Sequence, residues 1–69
     1  MEQSTRNQLP GTIKSIVSGK VLAEVIVETV IGEIASVITT RSVEEMKLTP
    51  GDKVFALIKA TNVSIGQRK

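Results

Sequence analysis

Val21, Ala23, Val25 and Val27 alternate with Leu22, Glu24, Ile26 and Glu28, which is the two-residue period of a β-strand. The first set is wholly apolar and the second mixed, so this strand is expected to be covered on both sides for part of its length. Upstream, residues 12–17 read as a first strand that starts after a Pro10-Gly11 turn, and Ser18-Gly19-Lys20 reads as the compact hairpin turn between the two. Gly32 marks the next turn, and residues 34–39, rich in β-branched side chains, form a third strand. The pattern then changes. Residues 39–46 offer hydroxyl caps, early acidic residues and the apolar pair Val43 and Met46, which predicts a helix of one or two turns. Ser42 and Glu45 have the spacing of a capping box, and Thr39 or Thr40 fits the N-cap equally well. Thr49-Pro50-Gly51-Asp52 suits a type II turn, with proline second and glycine third. Residues 54–59 read as a fourth strand and residues 63–65 as a fifth, joined through Ala60-Thr61-Asn62.

Five short strands with a short helix between the third and fourth is the element order of an all-β, OB-like small barrel. An SH3-like barrel is the nearest competitor. No internal repeat or linker interrupts the chain, so residues 1–69 are expected to form a single domain.

Composition adds a constraint on stability. A chain of 69 residues is near the size where one core is only marginally stable, and this one has no cysteine or histidine for a disulfide or a zinc site. Apolar residues make up 41% of it, enough for a core with some left over for contacts between chains, so an obligate oligomer is expected. The net charge of +2 is a mild basic excess without a long like-charge run. Phe55 is the sole aromatic residue, which takes most of the force from a single-strand nucleic-acid reading, because such binders stack bases on several rings. No apolar run is long enough to span a bilayer and no signal-peptide pattern opens the chain, so a cytoplasmic protein without a membrane partner is the simplest inference.

Catalysis is disfavoured. A serine nucleophile normally needs a base such as histidine, which is absent, and no phosphate-loop or dinucleotide glycine pattern occurs. The carboxylates are scattered over strands, turns and the helix start, as solvated surface groups are. What remains is a set of hydrogen-bond donors in three segments. Ser4, Thr5, Arg6 and Asn7 stand near the N-terminus; Thr39, Thr40, Arg41 and Ser42 at the strand–helix junction; Lys59, Thr61 and Asn62 after the fourth strand. Hydroxyls, cationic side chains and a helix start together suit a tetrahedral oxyanion. Each group also has an ordinary explanation: helix caps for Thr39, Thr40 and Ser42, a solvated strand-end lysine for Lys59, and a disordered arm for Arg6. Residue types alone do not show that the three segments meet.

The opening Ser4-Thr5-Arg6-Asn7-Gln8-Leu9-Pro10-Gly11 resembles the S-A-R-N-x-L-x-G start of the Mop, or molbindin, family. The resemblance continues through Val37-Ile38-Thr39-Thr40-Arg41-Ser42, Leu48 to Gly51-Asp52, and Lys59-Ala60-Thr61-Asn62-Val63. It implies an OB-like fold whose N-terminal segment is exchanged between subunits, and a homohexamer built as a trimer of dimers. It further implies non-covalent binding of molybdate or tungstate at subunit interfaces, without direct metal coordination, for storage and homeostasis of molybdenum. Carried over by position, the oxyanion would be held by Ser4, Arg6, Thr39, Ser42, Lys59 and the backbone at Ala60, with Thr5 and Thr40 beside them. Thr5 stands where many relatives have alanine. Ser18, Gly19 and Lys20 are the candidates for a second oxyanion site, although a plain hairpin turn explains them too. No pterin is expected, since a pterin needs a larger and more shape-specific pocket. Two other functions compete: an OB-fold nucleic-acid-binding module, and a ligand-sensing oligomerisation module acting on a separate partner.

Overall fold

The computed structural model describes residues 5–68, the first two of them through their backbone alone. In chain order the elements are β1 (Thr5–Ser18), β2 (Leu22–Thr29), β3 (Gly32–Thr39), α1 (Thr40–Met46), β4 (Lys53–Lys59) and a closing 3-10 turn, Ala60–Asn62. The strands form one antiparallel sheet in the order β3-β2-β1-β4.

β1 is 14 residues long and serves two partners. Its first half runs beside β4, from Thr5 opposite Lys59 to Thr12 opposite Lys53, and its second half beside β2, from Gly11 opposite Thr29 to Ser18 opposite Ala23. The register slips between Ile13 and Ser15 on the β2 side, and again between Thr5 and Asn7 on the β4 side. Such bulges bend a strand and increase its twist, so β1 curls the sheet. Around the first bulge, the turn before β4 is tied to β1: Gly51 N–H donates to Ile13 C=O at 2.8 Å and Ile13 N–H donates to Asp52 C=O at 2.9 Å. Gly51 has φ +97, as the expected type II turn requires, and Asp52 accepts the Thr49 N–H at 2.9 Å. Lys14, the bulged residue, reaches the Glu33 carboxylate on β3. That hydrogen bond, then the charge of Glu33 and more weakly Glu28, raises the Lys14 pKa above its ordinary 10.5. The pair therefore favours the folded chain below that value and fades as pH climbs through the raised one.

Ala23, Val25 and Val27 turn inward from β2, as their alternation predicted, and with Ile13 and Val43 they are the buried core. Ile16, Ile38, Leu48 and Val54 pack around it. Val21 departs from the predicted face: β2 begins one residue later, and Val21 is 70% exposed in the turn.

Two further expectations need correction. β1 begins at Thr5 rather than after Pro10-Gly11, because a proline is tolerated where only one neighbour strand is present. Residues 5–10 pair with β4 alone, so Pro10 costs no bond on its other side. In this pairing the described part of the N-terminal arm lies along β4. Secondly, the described residues contain four strands rather than five: residues 63–65 follow the 3-10 turn without a ladder partner.

Gly11 sits where β2, β1 and β4 meet, opposite both Thr29 and Val54. A Cβ there would lie 2.5 Å from the Glu28 carbonyl oxygen and 2.6 Å from Val27 Cγ1, too close for either to yield cheaply. Gly11→Ala is therefore expected to destabilise the fold by about 1–3 kcal/mol, the usual range for overpacking. Thermal unfolding at fixed protein concentration checks this, and an unchanged midpoint would show that β1 can shift at the crossing.

Candidate functional site

The strand–helix junction is built by Thr39. Its backbone is extended (φ −72, ψ 148) and its side chain accepts the Ser42 N–H at 3.0 Å, which makes it the N-cap of α1. The same hydroxyl donates to Ser42 Oγ at 2.8 Å, leaving the Ser42 hydroxyl proton free to point elsewhere. Thr40 has a different task. Its N–H donates to Val21 C=O and its hydroxyl to Gly19 C=O, both at 2.8 Å, so its proton is already committed to fastening the helix to the β1–β2 turn. Ser18, Gly19 and Lys20 thus lie against the helix start, and the structure brings these two groups of predicted site residues together. Arg41 extends to Glu45 at 3.5 Å as an exposed i,i+4 pair, which contributes little. The Ser42–Glu45 capping box is not formed, because Thr39 takes the cap three residues earlier.

The remaining donors gather at the other end of β1. Lys59 closes β4 opposite Thr5, and Ala60 opens the 3-10 turn. Arg6 is the extra residue in the bulge between Thr5 and Asn7. Asn7 pins this corner by donating from Nδ2 to Ile58 C=O at 3.2 Å. Ser4 lies outside the described residues. No sequence signal such as glycine marks the bulge at Arg6, and the cross-strand role of Asn7 was not legible either.

These two groups are held apart within one chain. Thr39 pairs with Leu22 just beyond the C-terminal end of β1, whereas Lys59 pairs with Thr5 at its N-terminal end. At roughly 3.3 Å per residue, the contour of β1 between those ends is on the order of 40 Å, and its two bulges make the direct separation shorter. Among the described residues, no hydrogen bond or ion pair joins Lys59 or Ala60 to the helix. Two clefts mark the surface. One, of about 730 Å³, opens between the β2–β3 hairpin and Phe55, and the other, of about 350 Å³, between β3 and β4. None of the predicted oxyanion residues lines either one. A single copy therefore carries the hydroxyls of Thr39 and Ser42 at the helix start and Lys59 with the strand-end backbone at the opposite end of β1.

Comparison with known proteins gives a consistent picture. Residues 3–65 match the model of the TOBE domain. The chain is 41% identical over 66 residues to molybdenum-pterin-binding protein 1 of Clostridium pasteurianum, a match covering 94% of this chain and 97% of that one. Among solved structures, a molybdate-binding protein from Sporomusa ovata superposes with a TM-score of 0.90 at 42% identity, covering 97% of this chain and 100% of that one. The cytoplasmic molybdate-binding protein ModG, solved with molybdate bound, gives a TM-score of 0.78 at 44% identity over 87% of this chain and 43% of its own.

The cap assigns Thr39 a cost that can be measured. Thr39→Ala is expected to lose about 1 kcal/mol, which for a domain of this size lowers the thermal midpoint by about 4–8 °C. Thr39→Ser keeps the accepting oxygen and should recover most of that loss. Equal midpoints for the alanine and serine variants would remove the cap from the account.

Proposed function

The chain belongs to the TOBE-domain family and, within it, to the molbindin (Mop) proteins, and from that premise we propose that it binds molybdate, or the similarly sized tungstate, at interfaces between subunits of a homo-oligomer. The assembly is a hexamer arranged as a trimer of dimers, and its role is storage and homeostasis of molybdenum in the cytoplasm. Its relatives are binding proteins, and the same class applies here: the chain holds a ligand and does not transform it.

The observation that carries this reading is the division of the donors into two half-sites at opposite ends of β1. Each half alone is a poor container for a dianion. The helix start has hydroxyls beside an Arg41 that extends to Glu45, while the other corner has Lys59 and the Arg6 bulge without a hydroxyl cluster from the described side chains. Docking the corner of one subunit against the helix start of another completes the set. Lys59 and Arg6 then balance the charge, Ser4 and Thr5 approach from the same arm, and the Ala60 N–H adds a backbone donor. Thr39 and Ser42 face them, with the Ser42 hydroxyl proton the one left free by the cap. Thr40 supports the site through Gly19 rather than by donating to the ligand. Ser18-Gly19-Lys20, fastened beneath the same helix start, forms a second oxyanion site with Lys20 as its cation.

Every contact in this scheme is a hydrogen bond or a charge pair to the oxyanion's oxygens, so the metal atom itself takes no protein ligand and no pterin is required. Size sets the selectivity. Sulfate has the same shape and charge but is smaller, and donors fixed for molybdate would leave some of its hydrogen bonds long and weak.

Lys59→Ala tests the reading directly. A lost charge-assisted hydrogen bond is worth roughly 1.5–3 kcal/mol, so molybdate affinity should fall about 10- to 100-fold by calorimetry. The thermal midpoint of the ligand-free protein should stay unchanged, because the Lys59 side chain is exposed. Native mass spectrometry with and without molybdate should show six subunits and bound ions in the parent protein. Removal of residues 1–8 should weaken both assembly and ion uptake. A truncated protein that stays hexameric with full affinity would refute the shared site, and tight oligonucleotide binding without molybdate uptake would favour the nucleic-acid-binding alternative.

A further inference from the structure

The strand–helix junction is closed into a ring. Thr39 pairs with Leu22 at the end of the β2–β3 ladder. The Leu22 carbonyl accepts the Gly19 N–H at 2.8 Å, and the Gly19 carbonyl accepts the Thr40 hydroxyl at 2.8 Å. Thr40 follows Thr39 in the chain, so the circuit returns to its start. The Thr40 N–H braces it by donating to Val21 C=O, again at 2.8 Å.

The first turn of α1 depends on this ring for its position. A helix of seven residues is too short to hold itself. Val43 is its buried side chain, and the exposed Arg41–Glu45 pair on its surface adds little. The chain enters the helix from β3, an edge strand held on β2 alone. Val43 therefore leaves the helix start able to pivot about that anchor. Thr40 supplies a second anchor, and the orientation is fixed.

What the orientation governs is Ser42. Thr39 accepts the Ser42 N–H and donates its own proton to Ser42 Oγ, so the Ser42 proton is the one available to an oxyanion. From Gly19 through Thr40 and Thr39 to Ser42, the place of each group is set by the one before it. The Thr40 hydroxyl is spent inside the protein and has no proton left for a ligand.

We infer that Thr40 is the positioning residue that makes the site selective for a large oxyanion, an inference that rests on the oxyanion reading above. Molybdate and sulfate share shape and charge. Discrimination between them comes from donors that keep the wider spacing when the smaller ion enters. With the ring closed, the Ser42 hydroxyl does not follow the smaller ion inward. With the ring open, the helix start moves in and sulfate recovers a hydrogen bond. A threonine that never touches the ligand thus sets a difference of affinities rather than an affinity.

Thr40→Val keeps the shape of the side chain and removes its hydroxyl. Gly19 is exposed, so water takes the vacated carbonyl and the chain still folds. Calorimetry with molybdate and with sulfate should show the preference for molybdate falling by about 2- to 10-fold, the worth of one hydrogen bond. Thr40→Ser restores the hydroxyl and should restore the preference. In the ligand-free Thr40→Val protein, the amide protons of Thr40 and Ser42 should exchange faster than in the parent. A Thr40→Val protein that keeps the parental preference, even with both affinities lowered, overturns the proposal and leaves the oxyanion reading in place. Parental exchange rates at both amides overturn it in the same way. A parent protein that takes up neither ion removes the oxyanion reading and this inference with it.

Discussion

The double pairing of β1 is the constraint on which the rest of the molecule depends. One strand must leave β4 and join β2 without breaking its own run, and it does so across Gly11, where both ladders overlap. The bulge at Lys14 then bends the strand, and the Gly51-Asp52 turn locks the bend by bonding Ile13 on both its N–H and its C=O. Three consequences follow from this geometry. The sheet curls around a core, its two edges face one slot, and the residues at the two ends of β1 are kept far apart. A flat sheet would have met neither of the first two conditions, and the third follows from the length of β1.

The core that results is small. Ile13, Ala23, Val25, Val27 and Val43 are buried, whereas Val17, Leu22, Val37, Phe55 and Leu57 all remain more than half exposed. In a chain that is 41% apolar, that ratio means much of the hydrophobic surface is spent on the outside. Burial is the main source of folding free energy, and a domain below about 80 residues has little to spare. In the reading proposed above, the surplus apolar surface belongs to contacts between copies.

Much of the fold was legible in the sequence because its determinants are local. The Ala23, Val25, Val27 alternation marked the inner face of β2, the threonines before Val43 marked the helix start, and Pro50-Gly51 marked a turn that needs a positive φ. The two errors in strand assignment have a common cause, which is that the deciding partner lies far along the chain. Pro10-Gly11 looks like a turn by itself and becomes a strand because β4 supplies bonds on one side only. Residues 63–65 have strand propensity, yet a strand exists only where an edge receives it. The candidate site shows the same division. Thr39 could be read as a cap from spacing alone, but the commitment of the Thr40 hydroxyl to Gly19, 21 residues earlier, could not.

The division of the donors between two ends of the chain also bears on how binding and assembly are coupled. A tetrahedral dianion loses a large hydration energy on entering a protein, and only a full shell of donors and countercharges repays it. Neither half-site can supply that shell, so in the reading proposed above an isolated subunit binds poorly and the assembled form binds well. Linkage then works in both directions. A ligand that binds only the assembled state stabilises it by about 2.7 kcal/mol per site at a hundredfold excess over Kd. For a domain with five buried core residues, that is comparable to a sizeable part of its own stability. In that reading, separate half-sites make the oxyanion a structural element of the oligomer as well as its cargo. On that reading the ion is released by loosening the interfaces without unfolding either half-site, because each is built within one chain.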